Sequence, residues 1–179
     1  MEKSQGIIIR LTKLTETSLI VHWCTQEEGL LKTVAKGGRR AKSPFAGKLD
    51  LFFQAEMSWV KSRKSELHTL RELVVSDFRE PLRHRYRDMV TASYFVDVLA
   101  TVVEPGLPVP ELYDLLQRAL DYLRDEGADM RGLLHYEREL ARMLGVQHQK
   151  MSPLMSLERA FGAMPRGRKQ CLDVLDNTI

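Results

Sequence analysis

The spacing of apolar residues along this chain changes once, near Pro81, from a repeat of two to the repeat of a helix, and that change sets what each half can fold into. Before it, every apolar segment is short. Residues 6–11 are an isoleucine-rich run bounded by polar residues. Residues 18–25 alternate Leu19, Val21 and Trp23 with Ile20, His22 and Cys24, so both faces are mostly apolar. Glu27-Glu28-Gly29 supplies a turn, and residues 30–36 run back as the hairpin partner. Further on, Leu51, Phe53, Ala55, Met57 and Trp59 fall at period two with Gln54, Glu56 and Ser58 between them, the pattern of a half-buried strand. A turn over 61–65 leads to a last strand over about 67–75. Five strands with no long helix among them predict a small closed barrel, because closure leaves no sheet edge exposed.

Pro81 sits where a first helical residue needs no N–H. After it Met89, Ala92, Tyr94, Phe95, Val98, Leu99 and Val102 form a broad apolar stripe that Pro105-Gly106 ends. Beyond a linker over 108–110, Leu112, Leu115, Leu116, Ala119, Leu120 and Leu123 repeat the pattern up to Glu126-Gly127. Leu133, Tyr136, Leu140, Met143 and Leu144 define a third helix closed by Gly145. Ser152-Pro153 reads as an N-cap followed by proline, opening a short helix through Phe161, and Pro165 opens another that carries Arg166, Arg168 and Lys169. Stripes this wide pack as a bundle. The chain therefore reads as α+β: a five-stranded barrel over 1–78, then an all-α helical domain over 79–179. The five-stranded oligonucleotide-binding (OB-fold) barrel has this strand count and size, with an SH3-like barrel as the structural alternative.

Charge is distributed unevenly between these halves. Residues 1–80 carry 14 Lys/Arg against 10 Asp/Glu, whereas the rest carry 13 against 14. Within 36–64, Lys36, Arg39, Arg40, Lys42, Lys48, Lys61, Arg63 and Lys64 face only Asp50 and Glu56, which points to one cationic surface. Its centre is Ala35-Lys36-Gly37-Gly38-Arg39-Arg40-Ala41-Lys42-Ser43, a strand-to-strand loop with four cations around two glycines. Such a loop turns tightly, lets a partner approach closely and suits a polyanion such as a phosphate backbone. A solvated basic turn is the plain alternative. Phe45, beside the loop, is placed as a base-stacking platform, while Phe52 and Trp59 fit core packing better.

No constellation for catalysis stands out. The five histidines, His22, His68, His84, His135 and His148, are dispersed, and Cys24 and Cys171 lie at opposite ends of the chain. Phosphate-loop, GxSxG, HExxH and GxGxxG patterns are missing. Neither the Glu27-Glu28 pair nor Glu137 with Glu139 forms an acid/base dyad. The expectation is a protein that is not an enzyme, holds no metal or cofactor and keeps both thiols reduced in the cytoplasm. No signal-peptide pattern or membrane-length apolar run is present.

The segment Val34 to Ser43, followed by Ala46-Gly47-Lys48-Leu49 and Phe52, resembles the N-terminal barrel of the bacterial DNA recombination and repair protein RecO family. Glu16-Thr17-Ser18-Leu19-Ile20-Val21, Thr25 and Glu28-Gly29 fit the same pattern. In the helical half, Ala92-Ser93-Tyr94 with Asp97 and Leu99, Glu111-Leu112-Tyr113 with Leu116 and Ala119-Leu120, and Tyr136-Glu137 with Leu140 and Leu144-Gly145 resemble that family's first three helices. The resemblance spans about 6–145 and implies an OB-fold barrel followed by a helical domain. Members bind single- and double-stranded DNA, anneal complementary strands and help load recombinase onto strands coated by single-strand-binding protein (SSB). It implies DNA contacts at Lys36, Arg39, Arg40, Lys42 and Lys48, joined by Arg10 and Lys13, and a nucleoid-associated location. It also implies two protein partners, RecR and the acidic, apolar C-terminal tail of SSB. Many relatives carry a four-cysteine zinc module after the third helix, whereas residues 146–152 here contain no cysteine, so no zinc is expected. Many also place two arginines before the aromatic-Glu pair where this chain has Leu134 and His135, leaving Arg131 and Arg138 as the nearby cations.

A tail-binding groove would combine an apolar floor with cations. Tyr94, Leu116, Tyr136 and Leu140 are candidates for the floor, although their helical spacing fits a bundle core better. Two functional readings stand: a DNA-binding and annealing factor, or an adaptor for RecR and the SSB tail with weak DNA affinity of its own.

Overall fold

The computed structural model describes residues 1–176. Five strands, β1 (Glu2–Lys13), β2 (Leu19–Thr25), β3 (Gly29–Ala35), β4 (Gln54–Val60) and β5 (Leu67–Asp77), close into a barrel in the order β1-β2-β3-β5-β4. The long β1 makes closure possible. Residues 2–7 pair with β4 and residues 6–13 with β2, so the two pairings overlap at Gly6 and Ile7, and a bulge interrupts the β2 pairing between Ile8 and Arg10. The parallel β3–β5 pairing completes the circuit, with Lys32 opposite Leu67 and Val34 opposite Thr69. Together with the helices after it, this is an OB-fold barrel and a helical domain.

Trp23, Trp59, Ile8, Val21, Met57 and Leu70 fill the barrel. The indoles find partners inside it: Trp23 Nε1 donates to Thr33 Oγ1 at 2.9 Å, and Trp59 Nε1 donates to Ser4 Oγ at 3.1 Å. These bonds account for the buried hydroxyls on inward strand positions, since an unpartnered buried polar group costs about 1–3 kcal/mol.

β4 departs from the half-buried strand expected around it. It begins at Gln54, so Leu51 and Phe53 precede it, and of the three polar residues only Glu56 is exposed. Gln54 is buried because it belongs to an internal polar network. The guanidinium of Arg79, 1% exposed, donates to Phe52 O at 2.9 Å and to Gln54 Oε1 at 2.8 Å, and Gln54 Nε2 donates to the Tyr113 hydroxyl. Among the described residues, Phe52 and Arg79 are the non-glycine residues with positive φ, at 68° and 44°. One hydrogen bond thus ties two strained backbone positions together.

Contacts group the chain into two compact units, Met1–Arg79 with Val103–Tyr113, and Glu80–Val102 with the described residues from Asp114 onward. In the first, Gly29 is required by sterics: its φ is +66°, and a Cβ there would lie 2.0 Å from Leu107 O.

In the second unit, Pro81 falls in a short 3₁₀ turn (Glu80–His84) and not at the start of the long helix. The helix α1 (Tyr86–Val102) starts only after Arg85, whose carbonyl accepts the N–H of Asp88. The others are α2 (Pro110–Asp125), α3 (Met130–Met143), α4 (Pro153–Phe161) and α5 (Gly167–Asp176). Asp129 caps α3 by accepting from Gly132 N at 2.7 Å, and Ser152 caps α4 ahead of Pro153. Tyr136 stacks on Phe95 with ring centroids 4.1 Å apart and donates its hydroxyl proton to Phe95 O. α5 lies on α1, with Cys171 fully buried against it. No helix of the described residues is long and apolar enough to cross a membrane.

Candidate nucleic-acid interface

The connection from β3 to β4 is a chain of tight turns. Ala35 O accepts from Gly38 N, Gly37 O from Arg40 N, Arg40 O from Ser43 N, Ser43 O from Ala46 N and Phe45 O from Lys48 N, all at 2.9–3.1 Å. Gly37 takes φ +68°, and a Cβ on Gly38 would press to 3.1–3.2 Å from Ala35 and Leu49. The two glycines therefore hold a fixed geometry. The loop is also tied to its neighbour between β1 and β2, since Arg39 N donates to Thr17 O at 3.0 Å and Gly37 N to Ser18 Oγ at 3.2 Å.

The cations on this scaffold differ from one another. Lys36, Arg40 and Lys42 are exposed, and their side chains have no ion-pair partner among the described residues. Arg39 is engaged: its guanidinium donates to Glu16 O at 3.0 Å and lies 4.0 Å from the Glu16 carboxylate. Lys13 pairs with the same carboxylate at 2.5 Å. Lys48 is half-buried, with Nζ 3.5 Å from Leu73 O. The register Lys13–Leu19–Ala35 across β1, β2 and β3 brings Lys13 to the loop end of the barrel. Arg10 is further along, in a cross-strand row with His22 and Lys32. Burial first, then the charges of Lys32 and Arg10, hold His22 below the usual histidine range, so it adds no cation at pH 7. Lys32 escaped the sequence reading because a lone lysine in an alternating strand carries no signal; only the register places it beside Arg10.

Two expectations are corrected. Phe45 is 5% exposed and belongs to the barrel core, because the chained turns fold that ring back under the barrel end; it offers no stacking surface. The cations of 36–64 are not one surface either. β5 runs parallel to β3, so the β4–β5 turn with Lys61, Arg63 and Lys64 lies at the far end of β3 from the glycine loop. There it shares the ring of His68 with Glu28 and Glu66, whose charges oppose that of Lys61. The positive field is thus concentrated at the loop end.

A second feature lies within the helical unit. A groove of about 630 Å³ has Phe95, Leu115, Ala119, Leu134 and Tyr136 among its walls, with Arg118, Arg131 and Arg138 around it. Arg118 pairs with Asp114 at 3.1 Å, and Arg131 donates to the Tyr122 hydroxyl at 3.2 Å. Arg138 has no ion-pair partner among the described residues. The structure thus brings Arg131, Arg138 and Tyr136 together, although Tyr136 is 1% exposed, its ring stacked on Phe95 and its hydroxyl bonded to Phe95 O, so it backs the groove wall and offers a ligand almost no surface. Tyr94, Leu116 and Leu140 are core residues. Leu134 and His135 line the groove as well.

Burial pushes the Cys24 thiol up to about 12 and the Cys171 thiol up to about 11, so neither is a nucleophile near neutrality. No group of three or more metal-ligating side chains occurs among the described residues.

The family model described as "Recombination protein O N terminal" matches residues 1–79, and "Recombination protein O C terminal" matches residues 83–150. Curated relatives named DNA repair protein RecO include that of Rhodopirellula baltica, 32% identical over 143 residues, covering 78% of this chain and 52% of the relative. The Salinibacter ruber protein is 30% identical over 145 residues, 80% and 56% of the respective chains. That of Syntrophotalea carbinolica is 26% identical over 175 residues, 95% of this chain and 68% of the relative. The chain thus spans about half to two thirds of the length of these relatives.

Proposed function

The chain belongs to the Recombination protein O family, and from that premise we propose that it acts in DNA repair and recombination as a DNA-binding, strand-annealing factor. It binds single- and double-stranded DNA, helps load recombinase onto SSB-coated strands, and makes or breaks no covalent bond itself. The observation that carries this reading is the ordered loop holding Lys36, Arg40 and Lys42 unpaired at one end of the barrel. Annealing brings two polyanions together, so repulsion between phosphates must be screened while base edges stay free. Lys and Arg contacts to phosphate do this without reading sequence. With Lys36, Arg40, Lys42 and the neighbouring Arg39, Lys13 and Arg10, about four to six phosphates are neutralised, and the log of the single-strand binding constant should fall with log salt at a slope of about −3 to −4. Anisotropy of a labelled oligothymidine across a salt series measures this, and a slope near zero rules the reading out.

The groove favours a second, compatible role as an adaptor. An apolar floor ringed by Arg118, Arg131 and Arg138 fits an acidic peptide with apolar side chains, the chemistry of the SSB tail. RecR is the other protein partner in this reading. Arg131→Glu/Arg138→Glu should weaken binding of a labelled tail peptide at least tenfold and leave oligothymidine binding within about twofold, since like-charge juxtaposition costs several kcal/mol. Equal loss of both activities would mean that the groove is not a separate peptide site.

A further inference from the structure

The contacts at the loop end of the barrel single out Glu16, whose role depends on that end being the DNA site. Glu16 is the one acid between Glu2 and Glu27. Its carboxylate receives both Lys13, through Oε1 at 2.5 Å, and Arg39, through Oε2 at 4.0 Å. Its side chain is 86% exposed, so burial gives it no role. The loop around it is closed without it: Thr15 Oγ1 accepts the N–H groups of Thr17 and Ser18, and Thr17 O and Ser18 Oγ hold the basic loop. A carboxylate with no evident structural task therefore sits among the cations of a polyanion site.

We propose that Glu16 is a built-in counter-ion of this site: it occupies Lys13 and Arg39 in the free protein and yields them to phosphate when DNA binds. Carboxylate and phosphate oxygens are acceptors of the same kind for these two cations. Solvent-exposed pairs are weak, so the exchange is easily made. Meanwhile the backbone bonds of Arg39 and Gly37 keep the guanidinium at the site. Glu16 sets how tightly a strand is held. It also limits repulsion among Lys13, Lys36, Arg39 and Arg40 while no strand is present.

The test compares Glu16→Gln with Asp50→Asn, which removes the same charge from the return limb of the basic loop. Both variants should melt as the native protein does. Oligothymidine binding at low salt should tighten roughly threefold to tenfold for Glu16→Gln, the worth of two exposed pairs. Its salt slope should stay within about 0.3 of the native value, because Lys13 and Arg39 reach phosphate in both proteins. Asp50→Asn should produce less than half of that tightening. No tightening by Glu16→Gln, a slope steeper by about 1 or more, or equal effects of the two variants overturns the proposal while leaving the DNA site intact. Undiminished binding by Lys36→Ala/Arg40→Ala/Lys42→Ala would instead remove the premise, and the counter-ion role with it.

Discussion

Lys36→Ala/Arg40→Ala/Lys42→Ala should bind single-stranded DNA roughly 100-fold more weakly than the native protein at about 0.1 M salt, with an unchanged melting temperature. The magnitude comes from counterion release. Each phosphate contact to a single strand contributes about 0.7 to the salt slope, so three lost contacts flatten it by about 2 and cost about two decades at 0.1 M. Stability should not move, because these side chains are exposed, have no ion-pair partner among the described residues, and leave the turn hydrogen bonds to the backbone. Arg39→Ala differs in kind: it removes bonds that tie the basic loop to Thr15 and Glu16, so it should disturb loop geometry as well as charge.

The second large effect is on stability. Arg168→Met should destabilise the helical unit by about 3 kcal/mol, enough to lower its melting temperature by roughly 12 °C or more. Glu137 of α3 is fully buried, and its carboxylate accepts three hydrogen bonds: the Tyr94 hydroxyl donates at 2.7 Å, Arg168 Nε at 2.6 Å and Arg168 Nη2 at 3.2 Å. Removing the guanidinium leaves a buried carboxylate without its cation. The lower end of the usual range of about 3–5 kcal/mol applies, because the Arg168 side chain stays 22% exposed. Adding Glu137→Gln should restore part of the loss, since a neutral amide still accepts from Tyr94. Thermal melts of the single and double variants check this; a shift under about 3 °C for Arg168→Met would show that the pair contributes no more than a surface one.

The architecture was legible because its signal is periodic. Alternation through Leu19–Cys24 and the wide stripes through Met89–Val102 and Leu112–Leu123 state which face is buried without any knowledge of partners. Ser152-Pro153 marked the start of α4 by local chemistry alone. The features that escaped depend on long-range pairing. Glu137 and Arg168 are 31 residues apart and look like ordinary helix-surface charges until α5 lies on α1. Gln54 reads as an outward strand residue until Arg79 folds back onto it.

The site shows the same division. Lys36, Arg39, Arg40 and Lys42 were recognisable as a cluster because they crowd around two glycines. Their inequality was not, because only the approach of the β1–β2 loop distinguishes the engaged Arg39 from its free neighbours. Proximity in sequence also misled: 61–64 comes soon after the basic loop, yet the parallel β3–β5 pair sends it to the opposite barrel end. Phe45 looked available because loop aromatics often are, and the chained turns placed it in the core.

The measurement closest to the central claim is the rate at which two complementary oligonucleotides anneal, monitored by fluorescence quenching with native protein and with the Lys36→Ala/Arg40→Ala/Lys42→Ala variant. The native protein should accelerate annealing well above the spontaneous rate, and the folded variant should lose most of that acceleration. A variant that melts normally and anneals DNA as fast as the native protein would contradict the assignment of the loop end of the barrel as the DNA site.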